Sequence, residues 1–455
     1  MLILRSRLAG AVLILFMLAA TGRAQTLTIQ GDRFAIDGTP RFLVFVSYFG
    51  AMGADNVTAD LRYIRSKGFD GIRIWPNFVT GPQLMRNDGT LNPDSLSRLL
   101  FILDRAREQR LVVDVSFTAE HVAGMDAARL RDAIMRTTAA LQSYDNLLFD
   151  IENERNVYGP FGRPLPAADV ISIRAAIKSI HPERVVTASN SSENTAQFAA
   201  DFAVQTGLDV TAYHDPRTSA FYVQEWVEQI VGAMRSNGKP AYLQEPMPMR
   251  YVYYPNSYKY ELYQEQLRNV KAAGAAAWCF HSDLSEDLRG RSFQALIESQ
   301  PEPEQAFVDQ FIPRVTLRTS NGSNYLVAEA GGGGDVRGDR VSAGAWESFR
   351  MIVLNGGPPI SGDRVALLTA DGVHYVQAVG GGGASLRATS TAIGPWETFV
   401  IEKPGGGAIR TGDAITLRAS AASWYVSAES GGGGGVMANR PSAGSWETFT
   451  LSFVR

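Results

Sequence analysis

The chain has 455 residues, 45% of them hydrophobic and 20% charged, with a formal net charge of −3. This is globular composition with room for two or three domains, and an acidic chain without a basic tract is poorly suited to nucleic acid. The single cysteine, Cys279, excludes an internal disulfide framework, and its apolar setting "AAAWCFH" points to a buried, inert thiol.

Residues 1–24 stand apart. Arg5 and Arg7 precede the apolar run "LAGAVLILFMLAA", and "TGRA" follows, with the small residues Gly22 and Ala24 ahead of Gln25. This is the pattern of a secretory signal peptide cut before Gln25, and the run is short for a membrane anchor. The expected product is secreted or periplasmic, free of the membrane after cleavage, and monomeric.

From residue 25 to 300 short apolar runs alternate with amphipathic segments. "LTIQGDRFAIDGTP" reads as a hairpin. The runs that follow are "RFLVFVSYFG", "GIRIWPNF", "LVVDVSFT", "LLFDIENE", "VVTASNSS", "DVTAYHD", "PAYLQEP" and "AAAWCFHS". Between them lie segments such as "SLSRLLFILDRAREQR", with apolar residues three and four apart, as helices require. Asn92 with Pro93 marks a helix start, and Gly68 and Gly274 mark helix ends. Eight strand–helix units predict a (β/α)8 barrel. The rival, a doubly wound open sheet, lacks its usual glycine-rich turn after the first strand. Residues 301–313, entered by the polar "SQPEPEQAF", read as a link.

From residue 314 to 455 helical periodicity stops and glycine becomes dense. A unit recurs three times, as "LRTSNGSNYLVAEAGGGG", "LLTADGVHYVQAVGGGG" and "LRASAASWYVSAESGGGGG", each followed by "AGAWESF", "IGPWETF" or "AGSWETF". Tyr325, Tyr375 and Tyr425 are 50 residues apart, as are Trp346, Trp396 and Trp446. Three all-β units are too few to close a propeller, and they suggest a pseudo-threefold β-trefoil.

In a barrel of this kind the reacting groups sit at the C-terminal ends of the strands. Strand four carries Asp150, Glu152 and Glu154. Alternation places these three on one face and Phe149, Ile151 and Asn153 on the other, with mutual repulsion raising at least one carboxyl pKa. Glu245 ends strand seven. Two carboxylates on facing strand ends are the equipment of glycoside hydrolysis: one protonates the leaving oxygen, and the other attacks the sugar carbon or activates water. Glu152 is the alternative acid. Arg73 is either a substrate contact or a structural partner of Asp150 or Glu152. Trp75, on the face of Arg73, is either core or a subsite wall, and "YVYYPNSYKY" (251–260) either lines a cleft or packs its loop. Five scattered histidines (121, 181, 214, 281 and 374) lack metal-ligand spacing, so neither a metal nor another cofactor is expected.

The "ENE" of strand four and the "QEP" of strand seven resemble the clan of retaining glycoside hydrolases with (β/α)8 barrels, of which the cellulase-like family 5 is the best-known member. The resemblance spans roughly residues 27–300. It implies Glu154 as acid/base, Glu245 as nucleophile and Asn153 as holder of the sugar 2-hydroxyl. It matches Arg73, Tyr213 with His214, and Trp278 to the clan's substrate-contacting positions, with Trp278 either stacking on sugar or serving as plain core beside Ala276 and Phe280. Where the clan often has His ending strand three, Glu120 and His121 lie just past the strand, and Arg155 replaces a usual proline. The three repeats resemble the fascin-like β-trefoil and, more loosely, the family 92 carbohydrate-binding modules. That likeness implies glycan contact by the pairs Trp346–Glu347, Trp396–Glu397 and Trp446–Glu447, although large aromatics in a repeat also serve as core. The function so implied is a retaining endo-β-glucanase acting on β-1,3- or β-1,6-glucan, with a trivalent glycan anchor. A cellulase- or mannanase-type hydrolase and a non-catalytic polysaccharide-binding protein are the alternatives.

Overall fold

The apolar runs of the first part become parallel strands because each is flanked by an amphipathic helix that covers its outward face. The computed structural model describes residues 25–77, 81–118, 125–157, 164–248, 259–282, 288–299, 304–309 and 311–454. Residues 1–24, Glu120, His121 and most of 251–260 therefore lie outside the described residues.

Strands β1 (Leu27–Gln30), β2 (Arg33–Ile36) and β3 (Thr39–Pro40) form an antiparallel sheet. Eight parallel strands follow: β4 (Leu43–Ser47), β5 (Gly71–Ile74), β6 (Val112–Ser116), β7 (Leu147–Asp150), β8 (Val185–Thr187), β9 (Thr211–His214), β10 (Ala241–Glu245) and β11 (Ala277–Phe280). Their order is β8-β7-β6-β5-β4-β11-β10-β9, and Asn190 bridges to Tyr213 to bring the two ends together. The helices are α1 (Val57–Ser66), α2 (Pro93–Glu108), α3 (Ala127–Ala140), α4 (Ala167–Ile180), α5 (Ala196–Thr206), α6 (Gln224–Arg235), α7 (Tyr260–Ala272) and α8 (Phe293–Ser299). Asn92 caps α2 by accepting from the Asp94 amide at 3.1 Å, with Pro93 in the first turn. Leu27 and Phe34 of the hairpin pack with Phe45, Leu148, Tyr242 and Cys279, plugging the N-terminal end of the barrel. The larger core lies between strands and helices.

The stretch expected as a link is partly core. Residues Glu304–Asp309 form helix α9, and Phe307 stacks on Phe280 at 4.6 Å between centroids and meets Trp278 at 5.7 Å. An apolar residue inside a proline-bearing, polar stretch was the available signal.

The second part is all antiparallel and contributes four strands per repeat. They are β12 (Arg314–Arg318), β13 (Tyr325–Ala328), β14 (Val336–Arg340) and β15 (Phe349–Val353), then β16 (Arg364–Leu368), β17 (Tyr375–Ala378), β18 (Leu386–Ser390) and β19 (Phe399–Glu402). The third set is β20 (Ala414–Ala419), β21 (Tyr425–Ala428), β22 (Val436–Arg440) and β23 (Phe449–Val454). The first and last strands of the sets pair into a closed ring, β12-β15-β16-β19-β20-β23, and β13/β14, β17/β18 and β21/β22 are hairpins.

The two parts are docked by buried polar contacts. Lys271, in the last turn of α7, donates to the carbonyls of Gly356 (2.6 Å) and Pro358 (2.8 Å) and pairs with Asp363 at 2.5 Å. A Cβ on Gly356, whose φ is +78°, would fall 2.0 Å from the Phe42 carbonyl oxygen, so only glycine permits this approach. Phe42 precedes β4 and Lys271 ends α7, so the contact lies at the N-terminal end of the barrel, away from the strand ends that carry the carboxylates.

Candidate active site

Arg73 organises the C-terminal end of the barrel. From the interior face of β5 its Nε donates to Ser116 Oγ at 2.9 Å and its Nη1 to Glu245 Oε1 at 2.5 Å. Its Nη2 reaches Asp150 Oδ2 at 3.3 Å and also Asn153 Oδ1. A buried guanidinium is tolerable only because its fork is so occupied. Burial works against its charge, but Glu245, Asp114 and Asp150 hold its pKa above the ordinary value. Beneath it, Asp150 accepts from the Ser189 amide (3.0 Å), Ser116 Oγ (3.1 Å) and Gln244 Nε2 (3.0 Å). Gln244 Nε2 also donates to Asp114 at 2.8 Å. Asp114 is fully buried, and burial pushes its carboxyl up to about 7 against the pull of Arg73.

β7 ends at Asp150, and the period of two ends with it. Residues 151–157 form turns, and Glu154 has φ +50°, a left-handed conformation costing a non-glycine residue on the order of 1 kcal/mol or more. The expected face sharing therefore fails. Asn153 turns to Arg73 beside Asp150. Glu152 is fully buried with neither carboxyl oxygen hydrogen-bonded, and burial together with the Asp150 charge raises its pKa well above the usual range. Arg155, in place of the usual proline, locks the loop: it donates to Asn190 Oδ1 (2.9 and 3.1 Å) and lies 3.4 Å over the Phe202 ring.

Glu245 enters the site through a register shift in β10 between Leu243 and Glu245. Tyr242 and Gln244 already point inward, so strict alternation would turn Glu245 out, and the irregularity re-aims it. His214, on β9, stands between the two glutamates, with Nδ1 2.9 Å from Glu154 Oε1 and 3.3 Å from Glu245 Oε2. Its Nε2 lies 3.4 Å from Gln244 Oε1. Because the Gln244 amide nitrogen serves Asp114 and Asp150, its oxygen faces the ring and accepts from His214 Nε2. His281 Nε2 is 3.8 Å and Arg217 Nη2 4.0 Å from Glu245 Oε2. Burial opposes the charge of Glu245, but His214, His281, Arg73 and Arg217 together hold its carboxyl well below the usual carboxylate range.

Glu154, His214 and Glu245 present donor atoms that all lie within 4.8 Å of one another. Three such ligands can in principle hold a cation. Here Arg73 and Arg217 already neutralise Glu245, which makes the cluster a poor site for a divalent ion.

Two expected sugar contacts are corrected. Trp278 is fully buried on the outer face of β11, donating from Nε1 to Gln266 at 3.2 Å and packing on Phe307; Cys279 is its inward neighbour. Tyr213 likewise points outward and donates to the Asn194 carbonyl at 2.9 Å, while His214 points in. Alternation decides both cases. Trp75 does share the inward face of Arg73, whose guanidinium lies 4.4 Å over its ring. Its other side is stacked on Phe49 at 4.2 Å, so no open ring face is left for a sugar. Asp114, Ser116, Gln244, Arg217 and His281 were not singled out from the sequence. "VVDVS" and "CFHS" carried the signal, a polar residue at an inward position of a barrel strand.

In the β domain Trp346, Trp396 and Trp446 are 46%, 46% and 41% exposed, each over the glycine turn of its own repeat. Their glutamate neighbours are not sugar acceptors. Glu347, Glu397 and Glu447 are buried, and the Oε2 of each accepts from the amide of Gly344 (2.7 Å), Gly394 (2.8 Å) or Gly444 (2.7 Å) to close the preceding turn.

No family model matches the sequence, and no curated protein matches it. Among solved structures the chain is similar to an endo-1,4-beta-mannanase from Rhizomucor miehei, with TM-score 0.44, 16% identity, and 56% of this chain and 90% of that one covered. It is also similar to a beta-1,4-D-mannanase from Cryptopygus antarcticus (TM-score 0.46, 15% identity, 63% and 94% covered). A third is an endo-1,4-beta-mannanase from Eisenia fetida (TM-score 0.45, 16% identity, 63% and 95% covered).

Proposed function

We propose that the chain is a secreted retaining β-glycoside hydrolase acting on a polysaccharide. One observation carries the reading: the carboxyl oxygens of Glu154 and Glu245 approach within 4.8 Å. Retaining enzymes hold their carboxyl groups ≈ 5 Å apart, whereas inversion needs room for a water between them. Glu245, kept anionic by its cationic surroundings, attacks the anomeric carbon. Glu154, the more open of the two and set on a left-handed turn, protonates the departing glycosidic oxygen. In the second step Glu154 takes a proton from water as that water displaces the sugar from Glu245. Arg73 and His214 hold the nucleophile in place, and Asn153, fixed by Arg73, faces the sugar next to it.

The β-glucan specificity, with β-1,3- or β-1,6-linkages favoured, and the cellulose- or mannan-type alternative are decided by one polysaccharide panel with product analysis. The parent should release oligosaccharide from one polymer class, and Glu154→Gln and Glu245→Gln should each lower that release by roughly a thousandfold or more with the fold intact. Silence of the parent across the panel, with polymer retained, supports the non-catalytic binding protein instead. The ring and its three hairpins fit a β-trefoil, and the exposed Trp346, Trp396 and Trp446 serve in this reading as three weak glycan sites acting through avidity.

A further inference from the structure

The three repeats pair their strands in the same register at 50-residue intervals, so a departure confined to one of them marks something the fold itself does not demand. At the start of each repeat, two residues face each other across neighbouring strands. In the second repeat they are Arg364 and Val400, and in the third Ala414 and Thr450. In the first they are Arg314 and Arg350. Like charges directly opposite on an antiparallel pair destabilise a sheet. Both side chains are exposed, and among the described residues neither makes an ion pair or hydrogen bond that would offset the repulsion.

These two arginines stand where two grooves meet. One, of ≈ 800 Å³, is lined also by Tyr325, by Gly344 in the turn that leads to Trp346, and by Asp371 and Ser452. The other, of ≈ 600 Å³, runs over the junction with the barrel and shares Arg314 and Arg350 with the first. Among the described residues the one carboxylate on the first groove is Asp371, and it is committed to its own loop, accepting from Thr369 at 2.8 Å and pairing with His374 at 2.5 Å.

We propose that Arg314 and Arg350 form an anion site for an acidic saccharide, clamping a carboxylate or a sulfate ester carried on a sugar. Two adjacent guanidinium forks match such a group, and their mutual repulsion is relieved when it binds. Tyr325 and the turn of Trp346 supply the flat and polar surface that the attached ring would meet. Nucleic acid is disfavoured, because two arginines on a chain of net charge −3 make too few phosphate contacts. The site borders the turn of Trp346 and does not rest on the catalytic reading.

The test uses the full chain in native affinity electrophoresis at low salt. The gels contain polygalacturonate, a sulfated galactan, a neutral β-glucan or duplex DNA. The parent should be retarded by one of the two acidic polysaccharides, which tells carboxylate from sulfate, and the retardation should fade with added salt. The double variant Arg314→Ala, Arg350→Thr gives the first repeat the pair that the third already carries. It should bind the acidic polymer at least about tenfold more weakly, retain neutral glucan like the parent, and melt no lower than the parent. Arg314→Lys with Arg350→Lys should keep a salt-dependent but weaker retardation. Parent mobility unchanged by either acidic polysaccharide overturns the proposal, as does equal binding by the double variant. A clear fall in its melting temperature would assign the arginines to the fold, and a pair-dependent shift on DNA would overturn the saccharide assignment.

Discussion

Replacing Arg73 by Met removes the cation that pairs with Asp114, Asp150 and Glu245 at once, while keeping most of the side-chain volume. Asp150 and Asp114 are fully buried and Glu245 is nearly so. Removing one partner of a buried ion pair costs about 3–5 kcal/mol, because the remaining charge is left uncompensated. At about 2–4 °C per kcal/mol for a domain of this size, the barrel should melt on the order of 10 °C lower at neutral pH. The pH dependence gives the sharper test. In the parent, the depressed pKa of Glu245 means that its contribution is present above the unfolded carboxyl value and is lost only as pH falls through the lower folded one. Without Arg73 that depression shrinks, and the orphaned acids take up protons at higher pH, which relieves the burial of unpaired charge. The gap between parent and variant should therefore be widest near neutrality and narrow as pH falls toward about 4. Scanning calorimetry across that range reads both. A variant melting within about 2 °C of the parent at pH 7, or a gap that stays constant with pH, would refute the role given to Arg73.

Further outcomes follow from the same contacts. Trp346→Ala, Trp396→Ala and Trp446→Ala should leave the fold intact and lower retention on insoluble polymer in steps, whereas Glu347→Gln, which weakens a buried charge-assisted turn, should cost about 1.5–3 kcal/mol in thermal unfolding without touching a sugar. Lys271→Ala strands Asp363 in the domain junction and should cost about 3–5 kcal/mol; deletion of 314–455 should likewise destabilise the barrel, visible as a lower melting temperature. The Cys279 thiol, buried and pushed up to about 12 by that burial, should resist a disulfide reagent in the native protein and react once the chain is unfolded by denaturant.

Strand count was readable because period and length agree, and the motifs brought Glu154, Glu245, Arg73, Asn153 and His214 to the same end of the barrel. Trp278 and Tyr213 were misplaced because matching a motif to a strand names a neighbourhood, while only the pleat decides which of two adjacent residues points in. Once His214 is inward, Tyr213 must be outward. Glu245 shows the opposite limit: its inward aim depends on a register shift that no periodicity reveals. Glu152 and Glu154 were grouped with Asp150 on the assumption that the strand continues, but it stops at Asp150 and a left-handed turn follows. The buried glutamates of the repeats depart from the expected sugar contact for a related reason, while the tryptophans stay exposed. A short glycine-rich turn has more need of an acceptor for its amides than of an indole, so the carboxylate is drawn in and the ring remains outside.

In the proposed reaction Glu245 forms a covalent bond to sugar while Glu154 handles the proton. This assignment is tested most directly by incubating the protein with activated 2-deoxy-2-fluoro-glucoside and -mannoside and mapping the modified peptide by mass spectrometry. A nucleophilic Glu245 should carry one added sugar with one of the two reagents, and Glu245→Gln should carry none. A label on another residue, or turnover of either reagent's parent glycoside with inversion at the anomeric carbon, would contradict it.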